Sequence, residues 1–228
     1  MMYLFDPLYF IILAPGLLLA AYATMITKST FAKYSEVASS TGITGSQAAQ
    51  RLLSNAGVHD VSIEPVQGFL SDHYDPRNKT LRLSPDVYNS RSLSAIGVAC
   101  HEAGHALQHA DAYFWLGLRS NMVPVVQFSS NFSYILLMLG FILNFPGLLS
   151  VGIILFSAAV VFSIVTLPVE WDASARAKKL MVSTGVVPEK EAVASGKVLN
   201  AAFLTYVASA LTSLLTLLYY ILRAQQRR

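Results

Sequence analysis

The distribution of charged residues constrains this chain most strongly. Between Arg119 and Glu170 lie 50 consecutive residues without any Asp, Glu, Lys or Arg. Shorter uncharged stretches of 21 and 25 residues cover positions 7–27 and 198–222. A helix crosses a bilayer core about 30 Å thick with roughly 20 apolar residues. The two short stretches therefore predict one membrane span each, and the long stretch predicts two.

The long uncharged stretch has turn-forming residues near its middle. Asn144-Phe145-Pro146-Gly147 combines three residue types that favour tight turns, so we predict a transmembrane hairpin. Charged residues make up only 13% of the chain, about half the share in a soluble domain, which excludes an ordinary soluble enzyme. The four predicted spans lie near positions 7–27, 121–143, 148–169 and 199–222.

Basic residues are distributed unevenly about these spans. Segments 28–120 and 170–198 carry eight and five Lys or Arg residues, and the opposite side carries three, all in the C-terminal tail. The positive-inside rule therefore places the two segments in the cytoplasm and both termini outside. The basic tail opposes this orientation, but it has less weight than two loops that agree. The net charge of +3 gives no indication of nucleic-acid binding.

The first predicted cytoplasmic segment is polar enough to fold outside the bilayer. Thr44-Gly45-Ser46-Gln47 has the pattern of a capping box ahead of a helix over Gln47–Asn55. Val61 and Ile63 alternate with polar neighbours, as in a short strand. The segment Leu70–Ser84 alternates on both sides of a Pro-Arg-Asn-Lys turn and predicts a β-hairpin.

These observations predict a mainly α, polytopic membrane protein with four transmembrane helices and a small α+β cytoplasmic part. We expect it in the plasma or inner membrane, with the lipid bilayer as its surroundings. The predicted organisation is an anchor over 1–28, a cytoplasmic segment over 29–120, a transmembrane hairpin over 121–169, a second cytoplasmic segment over 170–198, and a last span with a basic tail over 199–228.

A helix predicted from about Ser92 to Tyr113 carries the motif His101-Glu102-Ala103-Gly104-His105. Histidines at i and i+4 share one helix face, so both rings can reach one metal ion, and imidazole suits zinc. Glu102 is then placed to accept a proton from zinc-activated water and to return it to the leaving amine. The motif therefore predicts a Zn²⁺ cofactor, His101 and His105 as ligands, and Glu102 as the catalytic base.

A catalytic zinc site needs a third protein ligand. His109 lies about 12 Å along a straight helix from His101, which is too far for one ion. Asp111 falls at the third-ligand position of the metzincin pattern, but it would need a bend after His105. Gln108 stands where that pattern has its glycine.

Glu170 is the favoured third ligand. It is the first charge after the long uncharged stretch, at the predicted cytoplasmic end of the third span and on the same side as His101. The competing interpretation is a plain juxtamembrane acid beside Trp171. Two upstream histidines, His59 and His73, are more typical of surface or turn positions.

With the HExxH motif at His101–His105 and Glu170 further along, the chain resembles the YugP-like family of bacterial membrane zinc peptidases. Its HExxH…E pattern is similar to that of gluzincins. Related HtpX-like and CAAX-type membrane peptidases carry Glu-x-x-x-Asp, in which the Asp supports a ligand histidine. Here Ser174 is the fourth residue after Glu170 and Asp172 is the second, so which of the two orients a histidine stays open. The resemblance is carried by Leu70–Arg77, the His101 helix, Arg119-Ser120, Val123–Val126, Glu170–Ser174 and Leu199–Ala202.

The site and the resemblance together predict a zinc metallopeptidase of the bacterial inner membrane, whose cytoplasmic part over 29–120 is zincin-like. It would be a membrane-embedded endopeptidase that cleaves membrane proteins or peptides at the cytoplasmic face. The hairpin would offer an edge strand to an extended substrate. A regulatory membrane partner is not identified by the sequence. The alternative is a non-catalytic scaffold or adaptor whose structural zinc site is closed by four ligands, and Glu102 argues against it because such a site has no use for a base.

Overall fold

The computed structural model describes residues 6–68 and 71–226. Leu70 of the predicted hairpin, the start of the predicted anchor, and Arg227 and Arg228 of the predicted tail lie outside the described residues. Within them the chain is mainly helical. The elements are α1 (Pro7–Ser35), α2 (Gly45–Asn55), β1 (Ser62–Pro65), β2 (His73–Asp75), β3 (Thr80–Leu83), α3 (Pro85–Tyr88), α4 (Leu93–Ala110), α5 (Phe114–Ile142), α6 (Pro146–Ser183) and α7 (Glu189–Gln225).

Four helices of the described chain, α1, α5, α6 and α7, are long and apolar enough to cross a membrane. Each coincides with one predicted span, so the prediction of four candidate membrane helices is confirmed. The helices α6 and α7 contain 38 and 37 residues, well beyond the roughly 20 that a bilayer core requires. As a consequence, Glu170 lies inside a continuous helix.

The turn between α5 and α6 is shorter than predicted. α5 ends at Ile142 and α6 already begins at Pro146, so Pro146 and Gly147 belong to the helix. Proline suits the first helical position because its fixed φ is helical and its missing N–H is not needed there. Asn144 has a φ of 51°, in the left-handed region that asparagine tolerates best among non-glycine residues.

Of the described residues, one compact unit comprises 6–23, Leu118–Leu167 and 205–226. In this unit, glycines let α5 and α6 pack closely. A Cβ added at Gly140 would lie 2.9 Å from the backbone nitrogen of Leu149, and one added at Gly152 would lie 3.0 Å from that of Leu137. Close contact of backbones at small residues is typical of packed membrane helices.

The beginning of α1 lies beside the end of α7 in the same unit. The carboxylate of Asp6 accepts hydrogen bonds from the hydroxyl of Tyr219 at 2.8 Å and from Nε of Arg223 at 2.6 Å. Further along α1, Gly16 lies against Thr212, which precedes Tyr219 in α7, so the two helices run antiparallel here. The most N-terminal of the tail's basic residues is paired with an acid.

The second compact unit comprises Thr24–Gly117 and Pro168–Leu204. α2 begins with the predicted capping box, in which the Thr44 hydroxyl accepts from the Gln47 N–H and the Gln47 side chain accepts from the Thr44 N–H. The sheet has the strand order β1-β3-β2. β2 pairs with β3 antiparallel, as the hairpin prediction requires. β1 pairs with β3 in parallel, which the sequence did not indicate.

The helix α4 occupies the core of the second unit, and most of its residues are buried. It begins as predicted, because the Ser92 hydroxyl accepts a hydrogen bond from the Ala95 N–H. It ends at Ala110, earlier than the predicted Tyr113. Ala112, with a φ of 50°, adopts a left-handed conformation that a continuing α-helix cannot contain.

Candidate metal centre

The helix α4 presents two histidine rings side by side. His101 and His105 are one helical turn apart, and their ring centroids lie 4.8 Å apart in an edge-to-face arrangement. His105 is buried, and 14% of the His101 side chain is exposed. The core position of α4 therefore shields the pair from most solvent.

The helix α6 places Glu170 against this pair. Glu170 is almost completely buried, and its Oε2 lies 3.2 Å from Nε2 of His101 and 3.6 Å from Nε2 of His105. The two helices can approach because residue 104 is glycine. A Cβ at Gly104 would lie only 2.6 Å from the carbonyl oxygen of Ala173.

The donor set of these three residues fits a zinc ion. Ligand atoms of His101, His105 and Glu170 all lie within 4.8 Å of one another. Among the residues that the structure describes, this is the one group of three or more His, Cys, Asp or Glu side chains with such spacing. Two imidazoles and one carboxylate, with a fourth position left for water or substrate, form the ligand set of several zinc hydrolases. The residues present therefore suit the metal predicted from the sequence.

The opposite nitrogens of the two rings have polar partners of their own. Nδ1 of His101 lies 3.1 Å from the hydroxyl of Ser174. Nδ1 of His105 lies 3.0 Å from Oε1 of Gln108, whose Nε2 donates to Oδ2 of Asp172 at 2.8 Å. Ser174 thus contacts a histidine directly, and Asp172 reaches the other histidine through Gln108. Both residues left open by the sequence lie next to the site.

Negative charge surrounds His105. Burial by itself would lower the pKa of His105. The hydrogen bond and charge of Glu170, the charge of Glu102 and the hydrogen bond of Gln108 outweigh burial and raise this pKa above its ordinary value. The surrounding acids therefore favour a positive charge at His105.

Glu102 follows His101 on α4 and is also buried, with 9% of its surface exposed. Its position one residue after a ligand candidate turns its side chain to the side of the histidine face. Its charge acts on His105.

The other residues that the sequence offered as possible metal ligands lie away from this cluster. Nδ1 of His109 lies 2.8 Å from the hydroxyl of Tyr74. Asp111 forms an ion pair with Arg176. His73 is exposed on β2. None of these three side chains belongs to the cluster of potential ligand atoms around Glu170.

The sequence did not indicate that Gln108 contacts the candidate metal centre. In the sequence it was noted only because it occupies the glycine position of the metzincin pattern. In the structure it is fully buried and hydrogen-bonded to His105. Its spacing of three residues from His105 places it on the neighbouring part of the same helix face. That spacing, together with an amide on an otherwise small and apolar helix, was the available signal.

The geometry and the sequence motif define a candidate zinc metallopeptidase in a chain with four possible membrane helices. A family model described as "Putative neutral zinc metallopeptidase" matches residues 9–225. The chain is also 50% identical over 204 residues to the "Putative membrane protease YugP" of Bacillus subtilis (strain 168), across 90% of this chain and 91% of that protein. The chain therefore belongs to the YugP-like family of zinc metallopeptidases, as the motifs predicted. No solved structure matches it significantly.

Proposed function

We propose that this protein is a zinc-dependent, membrane-embedded endopeptidase that hydrolyses peptide bonds of membrane proteins or peptides. The observation that carries the proposal is the convergence of His101, His105 and Glu170, whose potential ligand atoms lie within 4.8 Å of one another beside Glu102. The family membership and the printed name of the Bacillus relative support the same class of reaction.

The residues of the site would have two roles, metal binding and proton transfer. A bound zinc ion would supply a Lewis acid that polarises the scissile carbonyl and makes water a better nucleophile. His101, His105 and Glu170 would hold that ion. Glu102 accepts the proton of the attacking water and later donates it to the nitrogen of the leaving amine. The low exposure of Glu102 and His105 strengthens these electrostatic effects by excluding bulk water.

Substrate binding would use the edge of the small sheet. β2 lies at one end of the strand order β1-β3-β2, so one side of it is not paired within this sheet. An extended peptide can add to such an edge through main-chain hydrogen bonds. This mode suits an endopeptidase, because it recognises backbone along the interior of a chain.

We place the site on the cytoplasmic side of the plasma or inner membrane. The excess of basic residues in 28–120 and 170–198 supports this orientation. The ion pair of Asp6 with Arg223 also supports it, because the pair keeps the start of α1 and the end of α7 together and reduces the charge that opposed the orientation.

The experiment that tests the function replaces Glu102 with Gln in the full-length protein in proteoliposomes. Glutamine keeps the shape of the side chain but cannot accept a proton. Cleavage of co-reconstituted membrane proteins should fall on the order of 10²–10⁴-fold, while zinc content stays unchanged. Glu189→Gln, at an exposed position in the first turn of α7, is the matched control and should cleave normally. Unaltered cleavage by Glu102→Gln would contradict the role of Glu102 as base.

A further inference from the structure

Gln108 is a buried amide whose orientation is fixed by its neighbours. Its side chain is completely buried, and its Nε2 lies 2.8 Å from both the carbonyl oxygen of Val169 and Oδ2 of Asp172. A carbonyl and a carboxylate only accept hydrogen bonds, so the amide group between them must be the NH₂. The amide oxygen consequently faces Nδ1 of His105, at 3.0 Å.

This orientation determines which nitrogen of His105 carries the proton. An amide oxygen only accepts, so Nδ1 of His105 must be the donor. In the neutral imidazole the lone pair then lies on Nε2, which faces Oε2 of Glu170 at 3.6 Å. We propose that Gln108 is a positioning residue that fixes the metal-binding tautomer and ring orientation of His105. The inference rests on the proposed metal centre.

Asp172 has the complementary task of holding the amide in place. Its Oδ2 accepts from Nε of Arg176 at 2.6 Å, and Arg176 also pairs with Asp111 and lies 5.7 Å over the ring of Tyr113. A carboxylate fixed in this way cannot become a donor, so Gln108 cannot turn its oxygen towards it. Two residues before Asp172, the same helix supplies Glu170. α6 thus provides one proposed ligand and the support of another.

The arrangement differs from direct support of a histidine by a carboxylate. Here a neutral amide stands between Asp172 and His105, and it fixes the orientation of the ring without placing a further carboxylate against it. Outer hydrogen-bond partners of ligand histidines typically change metal affinity by about 10–100-fold when they are removed. A residue that only satisfied the Val169 carbonyl would have no such effect on the metal.

The first test measures zinc affinity of the purified full-length protein by competition with a chelator, without any peptide. Gln108→Leu keeps the size of the side chain and removes its hydrogen bonds, and it should weaken zinc binding by about 10–100-fold. Gln50→Leu, at an exposed position on α2, is the matched control and should leave the affinity unchanged. Wild-type zinc affinity in Gln108→Leu would overturn the inference.

A charge swap keeps the test decisive if Gln108→Leu does not fold. Gln108→Glu alone sets a carboxylate against Asp172 and should weaken zinc binding. Adding Asp172→Asn provides a new amide donor for that carboxylate, and part of the lost affinity should return, because the carboxylate still faces the carbonyl oxygen of Val169. Rescue with unchanged thermal stability of the metal-free proteins supports positioning, whereas a double variant as weak as Gln108→Glu refutes it.

These outcomes are separate from those that test the proposed function. Zinc affinity depends on the tautomer and orientation of His105 whether or not a peptide is cleaved. An inactive wild-type protein would refute the peptidase and leave the Gln108 result to be judged by metal binding. An active wild-type protein whose zinc affinity ignores residue 108 would refute only the present inference.

Discussion

At the scale of single residues, the candidate metal centre is defined by which donors already have other partners. His109 lies on the same helix as the two ligand candidates, but its Nδ1 lies 2.8 Å from the hydroxyl of Tyr74. Asp111 is engaged by Arg176. Glu170, in contrast, is held by the two histidine rings themselves. His109 and Asp111 thus have partners away from the two histidines, whereas Glu170 contacts both of them. These contacts favour Glu170 as the third ligand.

The two histidines could be predicted from the sequence because helix geometry alone brings i and i+4 together. The position of Gln108 next to His105 was equally local. Its function was not, because the acceptors that fix its orientation, Val169 and Asp172, are 61 and 64 residues away. Spacing alone also could not show whether Asp172 or Ser174 lies beside a ligand histidine. In the structure Ser174 contacts His101, and Asp172 reaches His105 through Gln108.

At the scale of helices, the site depends on how closely α4 and α6 pack. Gly104 lies inside the HExxH motif, and a side chain there would meet the Ala173 carbonyl oxygen at 2.6 Å. Backbone atoms cannot move aside as the end of a flexible side chain can. Any residue larger than glycine must therefore push the histidines away from Glu170.

Gly104→Ala should weaken zinc binding by at least about tenfold and destabilise the fold by about 1–3 kcal/mol, the usual cost of an overpacked contact. Gly117→Ala is the matched control, because a Cβ at Gly117 meets no atom within 4 Å. Zinc titration and thermal unfolding of both variants measure these effects. Wild-type zinc affinity in Gly104→Ala would show that the helices can separate without harm to the site.

The elements differed in how well their ends and partners could be predicted. The capping box of α2 and the β2–β3 hairpin depend on neighbouring residues, so the sequence located them correctly. The uncharged stretch ends at position 169 and so indicated only the apolar part of α6. The helix continues to Ser183, because backbone hydrogen bonding in a helix does not depend on apolar side chains. The parallel pairing of β1 with β3 depends on contacts across the fold, which no local pattern encodes.

At the scale of the whole molecule, the proposed topology requires that the four long helices all cross the membrane. An even number of spans puts both ends of the chain on one side. The contact of Asp6 with Tyr219 and Arg223 agrees with this, because it joins the first described residue to the end of α7. The segments that carry the candidate ligands, 28–120 and 170–198, would then share the other side.

Reporter fusions test this topology. A reporter after Arg228 should give an external signal, because four spans follow an external amino terminus. A reporter after Val187, in the turn between α6 and α7, should give a cytoplasmic signal. A cytoplasmic signal from the Arg228 fusion would contradict this topology. Together with a cytoplasmic signal at Val187 it would mean that α7 does not span the membrane, and together with an external signal at Val187 it would mean that the orientation is inverted.

The most direct test of the central claim is the zinc content per chain of purified protein, measured by elemental mass spectrometry. We predict one zinc per chain in the wild type, loss of zinc in Glu170→Ala, and retention in His109→Ala. Glu170 offers a ligand atom within 4.8 Å of those of both histidines, while His109 is bonded to Tyr74. Retention of zinc in Glu170→Ala together with its loss in His109→Ala would contradict the metal centre described above.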